Sequence, residues 1–174
     1  MSKLNIKQRL GRALRYSKTI SHLKHYKGYG VHSPFAYALK RNVFNRRDFM
    51  AGNNTLYEKL TQCSVGHKRA VQLQNLYSYC SYKDFVIDGL DKCEVREDVF
   101  YIATKQSEVE YIEQFVEQIG AVRLTLCVVY PRHIKSRHKL CKMLVAKHNG
   151  MSVDNIGFML YFYNDQKRKQ HIKL

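Results

Sequence analysis

"DVFYIATKQSEVEYIEQFVEQIGAVRLTLCVVY", residues 98–130, is the stretch that decides the fold of this chain. It begins and ends with short apolar runs, 98–104 and 122–130, whose aromatic and β-branched residues predict buried strands. Between these runs, apolar side chains recur at the spacing of one helix face: Val109, Ile112, Phe115, Val116 and Ile119. The stretch therefore predicts a strand, a helix and a second strand.

Polar residues and a glycine mark the limits of the predicted helix. Ser107, with Glu110 three residues later, has the pattern of a capping box, and Gly120 follows the last apolar position as a stop signal. A helix between two buried strands is the connection that parallel strands require. We therefore predict an α/β fold.

The flanking sequence extends this unit on both sides. Residues 84–88 supply an earlier strand, and residues 134–148 a following helix with its apolar side inward and its cations outward. Residues 151–155 and 157–163 supply two closing strands that can pair closely. The pattern predicts a sheet of about five strands with an antiparallel C-terminal edge.

The N-terminal part of the chain is predicted to be helical and basic. Residues 4–25 form a basic amphipathic helix, a second helix starts at Pro34, and residues 68–80 form a third. The first helix suits contact with nucleic acid or a membrane surface, or packing on its own domain. We divide the chain into a basic helical N-terminal extension, residues 1–50, and an α/β domain, residues 51–174.

Composition limits the class of protein. The chain has 174 residues, 45% of them hydrophobic, which suits one domain with a hydrophobic core. No apolar run approaches the roughly 20 residues of a membrane span, and the N-terminus lacks the apolar stretch of a signal peptide. We therefore expect a cytoplasmic protein without a transmembrane segment.

The cysteines and histidines do not form a recognisable metal or redox motif. The five cysteines are widely spaced and contain no CxxC pair, which favours reduced thiols. His133, His138 and Cys141 lie near one another in sequence, but the cations between them oppose a metal ion. We predict no metal site.

The net charge of +16 is distributed unevenly along the chain. Residues 1–47 hold twelve Lys or Arg and no acid, residues 84–117 ten acids against three bases, and residues 118–174 eleven bases against two acids. Such a field attracts nucleic acid or an acidic protein surface. We predict that the contact residues are Arg9, Arg12, Arg15, Lys40, Arg41, Arg46 and Arg47. A homodimer, in which the acidic helix of one subunit meets the basic arm of another, explains the charges equally well.

Both ends of the chain resemble one protein family. "YGVHSPFAYAL", residues 29–39, resembles the GxHSPF-type N-terminal signature of class I S-adenosylmethionine-dependent methyltransferases found in Bacteroidetes. The matching positions are Gly30, His32, Ser33, Pro34 and Phe35. Residues 151–174 look like the closing strands of the same proteins, and residues 97–150 are similar in layout to their fourth strand, helix, fifth strand and next helix. The resemblance implies a Rossmann-like, methyltransferase-type sheet.

The cofactor positions of that family are depleted in this chain. Such an enzyme holds its cofactor with a glycine-rich turn after the first strand and with an acid after the second. Here the turn is "DFVIDGLDKC", in which Asp88, Gly89 and Asp91 are the vestigial cofactor-binding residues that the resemblance implies. The chain then passes almost directly to the next matching strand. The family's second and third strands, with the ribose-binding acid, have no counterpart.

The acids expected at the ends of the family's fourth and fifth strands are also missing. The corresponding pairs are Ala103-Thr104 and Tyr130-Pro131, which neither take a proton at neutral pH nor hold a divalent metal. The chain thus resembles a shortened, degenerate member, for which we expect no catalytic residue and no cofactor. We predict a non-catalytic, methyltransferase-like binding or scaffolding module with a basic surface.

Two other functions stay open from the residues alone. One is an active S-adenosylmethionine-dependent methyltransferase with a rearranged pocket around Asp88, Gly89 and Asp91. The other is a nucleic-acid-binding protein in which the cations alone provide the contact, and whose affinity falls steeply as salt rises.

Overall fold

The structure is a computed structural model that describes residues 33–164 and 169–174, together with Ile6, Leu10, Gly11, Ala13 and Leu14. These five positions are helical, and the side chains of Ile6, Leu10 and Leu14 are exposed. The rest of the predicted helix over residues 4–25 lies outside the described residues. The same holds for five of the predicted site residues: Arg9, Arg12, Arg15, Gly30 and His32.

Within residues 33–80, three helical segments precede the sheet. Helix α1, Pro34–Ala38, begins at Ser33, whose Oγ accepts a hydrogen bond from Ala36 N at 3.4 Å, and it continues into a π-helical segment, Leu39–Phe44. Helix α2 spans Thr55–Gln62, and helix α3 spans His67–Tyr79. Pro34 stands in the first turn of α1, as predicted, where its missing N–H costs little.

Strands and helices alternate in the rest of the chain. Their bounds are β1 Asp84–Ile87, β2 Val99–Ala103, α4 Val109–Gln118, β3 Leu124–Val129, α5 Lys135–Lys147, β4 Met151–Asp154, β5 Phe158–Tyr163 and β6 Gln170–Lys173. The sheet order is β1-β2-β3-β5-β4-β6. Strands β1, β2 and β3 are parallel, β5 runs antiparallel between β3 and β4, and β6 is parallel to β4.

The predicted α/β class and its antiparallel C-terminal strands are confirmed, but the sheet has six strands where the sequence predicted about five. The additional strand is β6, for which the sequence predicted no strand. Just one of its four residues, Ile172, is buried, so its sequence carries little of the apolar signal that identifies a strand.

The sheet is covered by helices on both faces. Alternate residues of β2 show this: Phe100 and Ile102 pack with α1, α2 and α3, whereas Tyr101 and Ala103 pack with α4 and α5. The predicted N-terminal extension contributes to the first of these layers from Ala36 onward. No helix in the described part of the chain is long and apolar enough to cross a membrane. The expected cytoplasmic location stays a prediction.

A close approach of two strands makes Gly150 intolerant of any side chain. A Cβ atom at this position would overlap the main-chain oxygen of Phe162 and would lie 2.9 Å from Nε2 of His148. The carbonyl belongs to β5, which pairs with β4, so it cannot move without disturbing the sheet. We expect Gly150→Ala to lower the free energy of unfolding by about 1–3 kcal/mol in urea denaturation.

Gly120→Ala is the matched control for that measurement, because a Cβ at Gly120 would meet no atom within 4 Å. Equal stability of the two variants would show that the approach at Gly150 is not as close as described.

Candidate functional site

The carboxyl ends of β1, β2 and β3 lie at the same end of the sheet, where open α/β sheets usually bind ligands. Strand β1 ends in a sharp turn in which Asp88 and Gly89 both have left-handed backbone conformations, with φ of 56° and 62°. The amide N–H of Asp88 donates to the carbonyl of Ile102 at 2.9 Å. The predicted turn after the first strand is therefore present, and Asp91 is exposed just beyond it.

The carboxylate of Asp88 is used to join the ends of two strands. It accepts hydrogen bonds from the amide N–H of Thr104 at 2.8 Å and from the Thr104 hydroxyl at 2.7 Å. The hydroxyl of Ser107 also donates to Asp88 Oδ1. Ser107 is thus not the predicted helix cap, since α4 begins after Glu108 and has no capping hydrogen bond from a side chain.

Arg137 of α5 fills the space behind this carboxylate. Its side chain is only 2% exposed, and its guanidinium donates to three carbonyls: Ala103 at 2.8 Å, Thr104 at 2.6 Å and Ser107 at 3.0 Å. Burial lowers the pKa of Arg137, while the Cys141 thiol and the Asp88 carboxylate act in the opposite direction. The prediction that the cations of this helix all face outward is wrong at Arg137.

Tyr130 follows β3 directly, and its aromatic ring contacts cations instead of joining the hydrogen-bond network of Asp88. Two cations contact its ring, with Lys105 Nζ 4.3 Å and Arg69 Cζ 5.1 Å from the ring centroid. Its hydroxyl accepts a hydrogen bond from the amide of Gly66 at 2.9 Å, which ties β3 to the start of α3. The position where an acid was expected therefore holds a buried aromatic ring with cation–π contacts.

These residues do not fit S-adenosylmethionine. Only Gly89 allows the backbone to approach a cofactor after β1, and the carboxylate of Asp88 already accepts three hydrogen bonds. Strand β1 is also an edge strand, so within the described residues no strand on its other side carries the ribose-binding acid. A cofactor at this place would have to displace the contacts among Asp88, Thr104 and Ser107.

A second group of predicted residues comes together at a cleft of about 650 Å³, which we call the basic cleft. Lys40, Arg46 and Arg47 of the predicted contact set line one wall of it, and the first two residues of α3, His67 and Lys68, line another. Its other lining residues are Phe44, Asn45, Val71, Gln72, Asn155, Ile156 and Leu174. Arg41 of the predicted set is exposed and does not line the cleft.

Positive charge is concentrated in the basic cleft. No Asp or Glu side chain is among the described residues that line it, and the first turn of α3 contains no acid. Burial lowers the pKa of the Lys40 ammonium below its usual value, and the positive charge of Lys68 lowers it further. A lowered lysine pKa shows that the protein makes the charged form of Lys40 less favourable than it is in water.

The turn between β4 and β5 forms one wall of the basic cleft. Ile156, a β-branched residue, has a left-handed conformation with φ of 47°, which is strained for such a side chain. Its N–H donates to Asp154 Oδ1 at 3.1 Å, and its carbonyl accepts from Arg132 Nη1 at 3.1 Å. The adjacent Asn155 has a buried Nδ2 without a hydrogen-bond partner among the described residues.

A second cavity, of about 810 Å³, lies between the C-terminal ends of α4 and α5. Glu113, Glu117, Met143 and Lys147 are among its lining residues, together with Tyr163 at the end of β5. Tyr163 pairs with Leu124, the first residue of β3. The cavity therefore lies at the amino-terminal end of the parallel strands, opposite to the carboxyl ends of β1 and β2. In the part of the chain that the structure describes, no group of three His, Cys, Asp or Glu side chains could hold a metal ion.

Comparison with models of protein families, with curated proteins and with solved structures finds no match for this chain. The resemblance to methyltransferases therefore stays a prediction.

Proposed function

We propose that this chain is a non-catalytic, methyltransferase-like binding module that acts through a basic surface. The single observation that carries the proposal is the network of Asp88, Thr104, Ser107 and Arg137 at the carboxyl ends of β1 and β2. Side chains and main-chain carbonyls bond to one another where a methyltransferase-type sheet needs open backbone for its cofactor.

The chemistry of the strand ends supports the same proposal. Thr104 follows β2 and is fully buried, with its hydroxyl donating to Asp88. Tyr130 follows β3, with its ring covered by two cations. Methyl transfer to an oxygen or nitrogen acceptor usually needs a group that can take or hold a proton near the acceptor, and neither position offers a carboxylate or an imidazole.

The topology also agrees with the resemblance. The three parallel strands correspond in order to one half of a doubly wound sheet, and β5 lies antiparallel beside them, as the closing strands of the family imply. Strand β1, from which the other half would continue, is instead the free edge of the described sheet. We infer that the frame is kept while the half that binds adenosine is missing.

An active methyltransferase is the alternative that one observation favours. The left-handed turn at Asp88 and Gly89 has the place and shape of a cofactor turn, and a Cβ at Gly89 would meet no atom within 4 Å. A rearranged pocket around Asp88, Gly89 and Asp91 would have to use this open side of the turn.

Isothermal titration of the full chain with S-adenosylmethionine tests the proposal. We expect no heat of binding up to millimolar cofactor, from protein whose cooperative thermal unfolding shows that it is folded. Micromolar binding that is lost in Asp88→Asn, with unfolding unchanged, would replace the binding module by the active enzyme. Glu97→Gln, an exposed acid away from the β1 turn, is the control for the change of charge.

A further inference from the structure

Helices α4 and α5 carry opposite charges and contact each other on one face of the sheet. Helix α4 contains three Glu and no Lys or Arg, whereas α5 contains four Lys and one Arg and no acid. Two of the three Glu and all four Lys are exposed. This face of the molecule therefore has an acidic half and a basic half.

The acids and the lysines of this face are not paired with one another. Glu113 and Glu117 of α4 and Lys147 of α5 line the same cavity, of about 810 Å³. Among the described residues, however, no ion pair includes a Glu of α4 or a Lys of α5. Glu113 and Glu117 also repel each other, because they stand four residues apart on one side of the helix. Each half thus keeps charge that a facing surface of opposite sign can neutralise.

The two helices run in the same direction. Helix α4 leads from β2 to β3 and α5 from β3 to β4, and these three strands are parallel because β5 is antiparallel to both β3 and β4. A twofold axis along the groove between the helices therefore places α4 of one copy opposite α5 of a second copy, and α5 opposite α4. Both of these contacts join an acidic helix to a basic one.

The groove between α4 and α5 provides apolar surface for such a contact. Val116 and Ile119 of α4 and Met143 of α5 line it and are only partly buried. Lys139, Met143 and Lys147 follow one another at intervals of four residues, so they form one ridge of α5. Around the twofold axis, four helices would enclose the apolar side chains of both copies, as in a four-helix bundle.

We propose that this chain forms a homodimer in which α4 and α5 of one copy pack against α5 and α4 of the other. The inference goes beyond the proposed function, because it holds whether or not the cofactor position is closed. A basic segment, such as residues 1–47, matches only the acids of α4, and a nucleic acid matches only the cations of α5. A second copy matches both halves at once.

The net charge of +16 on each copy opposes association, but it acts mainly over distances that salt screens. At physiological ionic strength the screening length is about 8 Å, so charges far from the interface contribute little. Side chains on facing helices lie within that distance. The local match between α4 and α5 therefore decides whether two copies attract.

Sedimentation velocity of the full chain in about 0.15 M salt tests the proposal, and we expect a dimer at micromolar concentration. The variants Glu113→Lys/Glu117→Lys and Lys139→Glu/Lys147→Glu each place like charges opposite each other. Each alone should dimerise about tenfold or more weakly. An equimolar mixture, with one variant fluorescently labelled, should associate within about threefold of the unchanged chain, because the mixed dimer again joins opposite charges in both contacts.

The matched control is Asp48→Lys/Glu58→Lys, which makes the same change of charge at exposed positions. Glu58 belongs to α2, and the carbonyl of Asp48 accepts from Asn75 of α3, so both lie with the helices on the other face of the sheet. This variant should change the dimer affinity less than about twofold. Circular dichroism confirms that every variant is folded.

Four results would overturn the proposal: a monomer even at about 100 μM, where a dimer of micromolar affinity is nearly fully formed; equal weakening by the control; no association in the mixture; or undiminished dimerisation of Lys139→Glu/Lys147→Glu alone. The last would show that the acids of α4 meet a basic segment other than α5. All four are independent of the titration with S-adenosylmethionine, so the dimer can fail while the closed cofactor position stands, and the reverse.

Discussion

Arg137→Met is expected to lower the free energy of unfolding by about 3–5 kcal/mol, because three main-chain carbonyls lose their hydrogen-bond donor. The guanidinium is almost fully buried and bonds to the carbonyls of Ala103, Thr104 and Ser107. Methionine fills most of the same volume but donates no hydrogen bond, and the carbonyls of Ala103 and Thr104 stay buried. Each buried acceptor without a donor costs about 1–3 kcal/mol.

Urea denaturation followed by circular dichroism measures this effect, with Lys142→Met at an exposed position of the same helix as the control. Arg137→Lys should recover only part of the loss, since an ammonium cannot bond to three carbonyls in the plane that a guanidinium spans. Ordinary surface substitutions change the free energy of unfolding by about 0.5 kcal/mol or less. A change that small for Arg137→Met would show that the hydrogen bonds of Arg137 do not stabilise the fold. The same variant should not gain affinity for S-adenosylmethionine, because it leaves Gly89 as the one glycine of the turn after β1.

The elements that could be predicted from sequence are those whose pattern is set by burial on one or both faces. Strand β3 is buried at all six positions, and its continuous apolar run identified it. Helix α4 buries Ile112 and Phe115 on one side, which produces the helical spacing that predicted it. In both cases the spacing of apolar residues along the sequence matches the face that is buried, so the element could be predicted without knowing its distant contacts.

The elements that sequence reasoning missed depend on distant contacts. Helix α2 has eight residues and buries only Leu56 and Leu60, too few positions to show a period. Arg137 was taken for a surface cation because its residue type predicts exposure. A signal was nevertheless present, as Arg137 stands three and four residues before the buried Leu140 and Cys141 and therefore shares their helix face.

The two walls of the basic cleft illustrate the same difference. Lys40, Arg46 and Arg47 were predicted from the density of cations near them, whereas His67 and Lys68 were not. These walls are joined by polar contacts that no local pattern predicts: Gln72 Nε2 donates to the carbonyl of Phe44 at 2.6 Å, and Asn75 Oδ1 accepts from the amide of Met50 at 2.8 Å. Charge could be read from the sequence, but its arrangement into a concave site depended on tertiary packing.

Arg132→Met is the second substitution for which we expect a loss of about 3–5 kcal/mol in the free energy of unfolding. Arg132 and Asp154 form a bidentate ion pair in which the side chains are only 7% and 5% exposed. Methionine at position 132 leaves the Asp154 carboxylate charged and buried with its main cation removed. It also removes the donor to the carbonyl of Ile156. Urea denaturation again measures the loss, with Arg123→Met, in a half-exposed ion pair with Asp98, as the control.

Combining Arg132→Met with Asp154→Leu separates the energy of the ion pair from its effect on the basic cleft. The double variant leaves no buried charge, so it should be more stable than the sum of the single losses predicts, by a coupling energy of about 0.5–3 kcal/mol. Strict additivity would contradict the pairing.

The double variant also affects the turn at Ile156, because the Ile156 N–H donates to Asp154 and the Ile156 carbonyl accepts from Arg132. Without both partners, nothing in these contacts holds Ile156 in its strained left-handed conformation, and the wall of the cleft should relax. We therefore expect fast amide hydrogen exchange at Ile156 in the double variant even where stability is regained, a result that an ion pair acting on overall stability alone would not produce.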